Sequence, residues 1–263
     1  MHESYEERNK AYENQMRLIQ LAGDAKVPLL ILDGDHKLTQ DDVSYINKHA
    51  KATLASPELS PRKGFKQLFY PNPYELRNPM VNRMPFFGNT ELIYIGNNYE
   101  RWDQWLEFVA KPSNLGMKVK CFGNWLESHP DRQTPEEVMA AAPNIDFPGR
   151  IGQKAVIENY LVADTTVHLS KPSYCKSGFV TMRWAEAAAA GTFAFIPREF
   201  KHVPEDIMHV CGVDDGQQLY GYYTTMEEKV WYEGVFLMQE WVRQNMTQEA
   251  WLEMIKETCD EHR

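Results

Sequence analysis

PGRIGQKAVIENYLVADTTVHLSKPSYCKSGFVTMRWAEAAAAGTFAFIP, residues 148–197, decides the fold class. QKAVIENYLVA reads as a helix, TTVHLS as a strand, TMRWAEAAAAG as a second helix and TFAFIP as a second strand. Gly191 follows the alanine run where a helix closes in a left-handed cap, so the second helix is expected to stop there. Helix and strand alternate with short connections, the pattern of a parallel sheet covered by helices.

The same alternation extends upstream. TELIYIGNN is a strand ending in a turn, YERWDQWLEFVA an amphipathic helix and MKVKCFGNW a strand. TPEEVMAAAP is a helix with Thr134 as N-cap and Pro135 at its first position, and IDFPGRI is a strand and turn. The fold class is therefore α/β, and such sheets take ligands at the carboxyl ends of their strands. Before this region, Tyr5, Tyr12, Met16 and Ile19 predict a first helix, KVPLLILDGDHKLT a buried strand and turn, Thr39–Ala50 a helix and ATLASP a strand. Six prolines between Ser56 and Pro85 mark an irregular connection between domains. Helices around 226–243 and 247–261 complete the chain, so the expected parts are 1–88, 89–225 and 226–263.

Composition narrows the partners. The 263 residues are 43% hydrophobic and 25% charged, with a formal charge of −9. That is an ordinary soluble composition and no basis for a uniformly cationic nucleic-acid surface. Only SPRKGFK, with Arg62, Lys63 and Lys66, offers a compact basic cluster. Cys121, Cys175, Cys211 and Cys259 are scattered without a C-x-x-C pair, and no apolar run approaches membrane-spanning length. A reducing, cytoplasmic setting and no membrane partner are expected.

The chemistry gathers after TTVHLS. The spacing predicts a loop from Pro172 to Phe179 entering a helix near Val180. Ser177 and Gly178 would let the backbone approach a ligand, while the first helical turn offers an anion free N–H groups and the positive end of the helix dipole. Arg183 and Glu186 lie three residues apart and share a helical face, where the guanidinium can meet a diphosphate and the carboxylate a ribose diol. The spacing equally fits an ordinary ion pair on a helix surface. His168 sits inside its strand as a packed residue.

Asp164, Pro172, Ser173, Gly178, Phe179, Glu186, Ala187, Gly191 and Thr192 occur in the order that resembles the carboxyl-terminal nucleotide-sugar domain of GT-B glycosyltransferases. The Arg-x-x-Glu pair with an earlier arginine further resembles bacteriophage enzymes that add sugar to hydroxymethylated cytosine in DNA. The resemblance implies a GT-B-like chain. Its Rossmann-type nucleotide-sugar domain would be preceded by a reduced acceptor-side α/β region, with the terminal helices packing back across the domains. It implies a UDP-sugar donor such as UDP-glucose, held at Gly96, Arg101, Gly149, Arg150, Ile151, Ser177, Gly178, Phe179, Arg183 and Glu186. Arg101 and Arg183 would grip the diphosphate, Glu186 the ribose, and the backbone of 149–151 the base. Ser177 stands where many retaining members carry an acid, which leaves the stereochemical outcome open.

The resemblance further implies hydroxymethylcytosine or its glucosylated form in double-stranded DNA as acceptor, in the cytoplasm of a host cell for a phage-encoded chain. Polysaccharide or small-molecule acceptors, and a non-catalytic nucleotide-binding subunit, are the competing readings. The amino-terminal region is shorter than the acceptor domain such enzymes usually carry, so either that domain is genuinely reduced or a partner chain completes it. Asp33 and Asp35 resemble the metal-binding D-x-D of GT-A enzymes, which would suit an assisting Mg²⁺. A turn after a strand favours Asp for local reasons as well. With His36 they are the candidates for the general base; no tightly bound cofactor or resident metal is expected.

Overall fold

The computed structural model describes residues 5–35, 37–78 and 90–262. Contacts divide the chain into two units, Met1–Pro71 with Thr247–Arg263, and Asn72–Met246.

In the first unit α1 (Tyr5–Asp24) precedes β1 (Leu29–Leu32), α2 (Gln40–His49), β2 (Ala52–Ser56) and β3 (Phe65–Gln67). The strands pair in parallel in the order β1-β2-β3. Thr39 starts α2 through a capping box: its side chain accepts from Asp42 N, and the Asp42 carboxylate accepts from Thr39 N at 2.8 Å. Ile19, Ile46 and Leu54 form the buried centre where both helices meet the sheet.

The second unit continues the alternation read in the sequence. It runs β4 (Thr90–Ile95), then α3, a continuous helix of Trp102–Trp105, a π-helical segment Leu106–Ala110, and Lys111–Asn114. There follow β5 (Val119–Phe122), α4 (Pro135–Ala141), β6 (Asp146–Gly149), α5 (Gln153–Leu161) and β7 (Ala163–Val167). After β7 come α6 (Pro172–Ser177), α7 (Met182–Ala190), β8 (Phe193–Pro197), α8 (Glu205–Cys211), β9 (Gly212–Val213), α9 (Gly216–Thr225) and α10 (Glu228–Asn245). The six strands are parallel in the order β6-β5-β4-β7-β8-β9. The winding therefore reverses between β4 and β7, the place where a doubly wound sheet opens a crevice at its strand carboxyl ends.

Two expectations shift. The segment Pro172–Phe179 is not a plain loop: Pro172 at the first position starts α6, and Gly178, in the left-handed conformation at φ 67°, ends it. The following helix then begins at Met182 rather than near Val180. The expected boundary at 88/89 lies within residues 79–89, outside the described ones, while the contact division falls after Pro71. The segment 226–263 is shared between the units, because α11 (Gln248–Glu261) belongs to the first. There Trp251 Nε1 donates to the Phe69 carbonyl at 2.7 Å, and Lys66 pairs with Glu257 and Glu261.

The alanine run is explained by packing. Ala187, Ala188, Ala189 and Ala190 are all buried, and Ala187 and Ala190 meet Ile93, Ile95, Val156 and Tyr160 in the core between α5, α7 and the sheet. Methyl side chains let α7 lie close to its neighbours at no rotamer cost. Overpacking this contact costs about 1–3 kcal/mol in comparable cores. Ala187→Leu is accordingly expected to lower the denaturant midpoint with an unchanged slope, and an unaltered midpoint would show that α7 has slack.

Candidate active site

A cavity of about 460 Å³ opens along the carboxyl ends of β4, β5, β6 and β7 in the second unit. That volume suits a small-molecule site. Among the described residues its lining includes Arg101, Arg150 and Arg183 and no carboxylate, a charge balance that favours an anionic ligand.

Its floor is backbone. Gly96 ends β4 and Gly123 follows β5; Gly96 N donates to Phe122 O at 3.0 Å, and Gly123 N to Gly149 O at 2.9 Å. A β-carbon on Gly123 would stand 2.1 Å from the Gly96 carbonyl, and its φ of 140° suits glycine alone. Trp125 Nε1 donates to that same carbonyl at 2.7 Å, locking the two strand ends together.

The cationic wall comes from two helix starts. Arg101 is the N-cap residue of α3; its Nη1 donates to Asn97 O at 3.2 Å, while its buried Nε has no partner. Arg183 lies in the first turn of α7 and pairs with Glu186 one turn on. Glu186 is 1% exposed, and its second oxygen accepts from Gln153 Nε2 at 2.7 Å. Thr181, the N-cap of α7, makes no capping side-chain bond and lines the cavity. The helix start therefore faces the cavity as an anion-favouring end. Tyr94 is buried beside both arginines, and burial pushes its hydroxyl pKa up. The ring nitrogens of His168 are held down to about 3 by burial and then by the Arg183 charge. Its ring stacks on Trp184 at 5.3 Å, so it lines the cavity as a neutral imidazole.

The expected donor residues divide. Gly96, Arg101, Arg150, Ile151 and Arg183 line this cavity; Glu186 is buried, is not among the lining residues, and is joined to them through its pair with Arg183. Gly149 borders them in a left-handed turn at φ 87°. Arg150 pairs with Glu127 in an exposed ion pair. Ser177, Gly178 and Phe179 are not among the lining residues. Gly178 caps α6, Phe179 is buried on Tyr174 at 4.1 Å, and Ser177 Oγ is buried without a hydrogen bond. They shape the turn into α7 because α6 occupies the segment where a ligand-facing loop was expected. Gln153 and Thr181 carried no motif in the sequence. The one available signal was their place after strand carboxyl ends.

In the first unit, Asp33 is spent on structure. It is buried, Oδ1 accepts from Lys37 N at 2.7 Å, and Oδ2 accepts from Leu38 N at 3.1 Å and from Arg62. Asp35 is exposed and pairs with Lys37 at 2.8 Å. His36 lies outside the described residues. The basic cluster is largely neutralised within its own unit: Arg62 turns in to Asp33 and Glu58, and Lys66 meets Glu257 and Glu261. Among the described residues no three His, Cys, Asp or Glu side chains gather to hold a metal ion, and no helix is long and apolar enough to cross a membrane.

No protein-family model and no curated protein matches the chain. Solved structures do. Phage T4 β-glucosyltransferase superposes with a TM-score of 0.63 at 17% identity, over 92% of this chain and 77% of that one. The same enzyme with its substrate UDP-glucose gives 0.62 at 15% identity, over 92% and 77%. A glycosyltransferase from Rickettsia africae gives 0.62 at 11% identity, over 100% and 84%. At these identities the likeness establishes the fold: this chain has the GT-B architecture.

The neutral His168 has a consequence for acid stability. Its folded pKa lies below the ordinary value of 6.5, so the unfolded chain binds the extra proton between about 6.5 and about 3. The stabilisation is complete above 6.5 and is lost as pH falls towards about 3. Its size is bounded at about 5 kcal/mol by the shift. Denaturant titrations at stepped pH should show a shallower acid slope for His168→Gln than for wild type. Superimposable slopes would remove His168 from the account.

Proposed function

We propose that this protein is a glycosyltransferase that moves a sugar from a UDP-sugar, such as UDP-glucose, to a hydroxyl acceptor. One observation carries the reading: Arg101, Arg183 and the start of α7 converge at the switch point of the sheet, with Glu186 anchored beside them. The likeness to phage T4 β-glucosyltransferase supports it.

In this reading the base lies against Ile151 and the backbone beside Gly149, and the ribose hydroxyls donate to Glu186. The diphosphate lies between the arginines. The acceptor oxygen attacks the anomeric carbon as the bond from that carbon to the diphosphate oxygen breaks. Negative charge then grows on the departing diphosphate, where Arg101, Arg183 and the helix end stabilise it. The acceptor proton passes to a carboxylate, for which Asp35 is proposed, since Asp33 is already held by Arg62. A related structure was solved with UDP and Mn²⁺. Here Asp33 is committed to Arg62, so the D-x-D pair does not fit an assisting Mg²⁺ and no step is routed through one. Hydroxymethylcytosine in double-stranded DNA, bare or glucosylated, is the proposed acceptor, supported by the relative described as a DNA-modifying enzyme. The neutralised Arg62 and Lys66 do not add to that support.

Calorimetry with UDP and UDP-glucose tests the donor site. Glu186→Ala is expected to weaken both by about tenfold or more, the worth of hydrogen bonds to a charged group. Equal binding by both proteins would place the nucleotide elsewhere. Arg183→Ala should cut turnover on hydroxymethylated DNA by roughly 10²–10³. Asp35→Asn should cut it by about 10²–10⁴ with UDP affinity intact. Turnover on other hydroxyl acceptors alone would transfer the enzyme to a different acceptor class.

A further inference from the structure

Gln153 is assigned no part by its sequence context, yet it makes the second of the two contacts that hold Glu186. It is the first residue of α5. Its Nε2 lies 2.7 Å from Glu186 Oε1 and 2.7 Å from the hydroxyl of Tyr74. Tyr74 is itself fixed. Asn72 Oδ1 accepts from Tyr74 N at 3.0 Å, and Asn72 N donates to Met246 O at 2.7 Å. Further along the same segment, Arg77 N donates to Ala189 O at 3.2 Å, and Gln239 Nε2 to Arg77 O at 2.8 Å. The amide of Gln153 is thus held from one side by an anchored segment and turned onto the carboxylate on the other.

Glu186 consequently has one oxygen on Arg183 and the other on Gln153. An ionised carboxylate offers about four acceptor directions, so this arrangement fixes the plane of the group and leaves about one direction per oxygen. Two directed acceptors, side by side and pre-oriented, match a vicinal diol. A diol with one hydroxyl removed would leave a buried charged oxygen without its partner, which is how polar sites reject near-isosteres.

Resting on the donor reading above, we propose that Gln153 is a positioning residue that makes the site select ribonucleotide over 2′-deoxyribonucleotide donors by fixing the Glu186 carboxylate. Arg183 alone leaves that carboxylate free to swing about its Cγ–Cδ bond. With Gln153 and Tyr74 in place, both oxygens stay aimed at the diol.

The test is calorimetry of UDP against 2′-deoxy-UDP on wild type, Gln153→Leu and Tyr74→Phe, with thermal melts of each. Wild type is expected to prefer UDP by about tenfold, the worth of a hydrogen bond to a charged group. Gln153→Leu should bring the preference to within about threefold of unity, by weakening UDP while 2′-deoxy-UDP is little changed. Tyr74→Phe should fall between them. A merely structural role would weaken both ligands alike and lower the melting temperature in step, which would overturn the proposal. An unchanged preference, or tighter UDP binding by Gln153→Leu, would overturn it too, the latter by making the amide a competitor of the ribose. Wild type that binds UDP without preference would refute the ribose role of Glu186 and the proposal together. Wild type that binds neither would refute the donor reading itself.

Discussion

The candidate site depends on how close α7 can come to its sheet. Ala187–Ala190 are buried methyl-sized residues, so the helix axis settles nearer to α5 and the strands than branched side chains would allow. That approach sets the position of everything earlier in the helix. Arg183 lies two turns and Glu186 one turn before the end of the run, and Arg183 lines the cavity at the strand carboxyl ends. Gly191 at φ 68° then ends the helix and lets β8 begin at Phe193.

Electrostatics follow from that geometry. A guanidinium with 35% of its side chain exposed sits against a carboxylate with 1%, so the acid is desolvated and the base keeps one side for a ligand. A pair of this kind contributes little net stability, because desolvation offsets the attraction. Its value is orientation. His168, kept neutral nearby, adds no competing cation at the cavity, and the unpartnered Arg101 Nε completes a wall poor in acceptors. The excess of donors over acceptors gives the cavity a charge balance that favours an anion.

The first unit uses the same residue types for the opposite purpose. Asp33, Arg62, Glu58 and Ser56 close a network at the carboxyl edge of its small sheet, with Ser56 Oγ donating to Glu58 at 2.6 Å and Arg62 joining both acids. Such a network holds the turns after β1 and β2. An aspartate after a strand can serve a metal, a proton transfer or the turn itself, and only the partners of its oxygens distinguish these uses.

Much of this was legible in the chain alone. The change of period between helix and strand, the alanine run and Gly191 determined an α/β fold, the place of α7 and the shared face of Arg183 and Glu186, because all three depend on local spacing. Gly96, Arg101, Arg150 and Ile151 line the cavity because they follow strand carboxyl ends, which a parallel sheet turns to one edge by construction. What the sequence left open depends on contacts between distant residues. Whether Asp33 faces a ligand or Arg62 depends on a residue 29 positions away. Glu186 is oriented by Gln153, 33 positions earlier, and Gln153 by Tyr74, another 79. The pairing of side chains across such separations is settled by packing, which carries no local periodicity; only the tertiary structure could decide it.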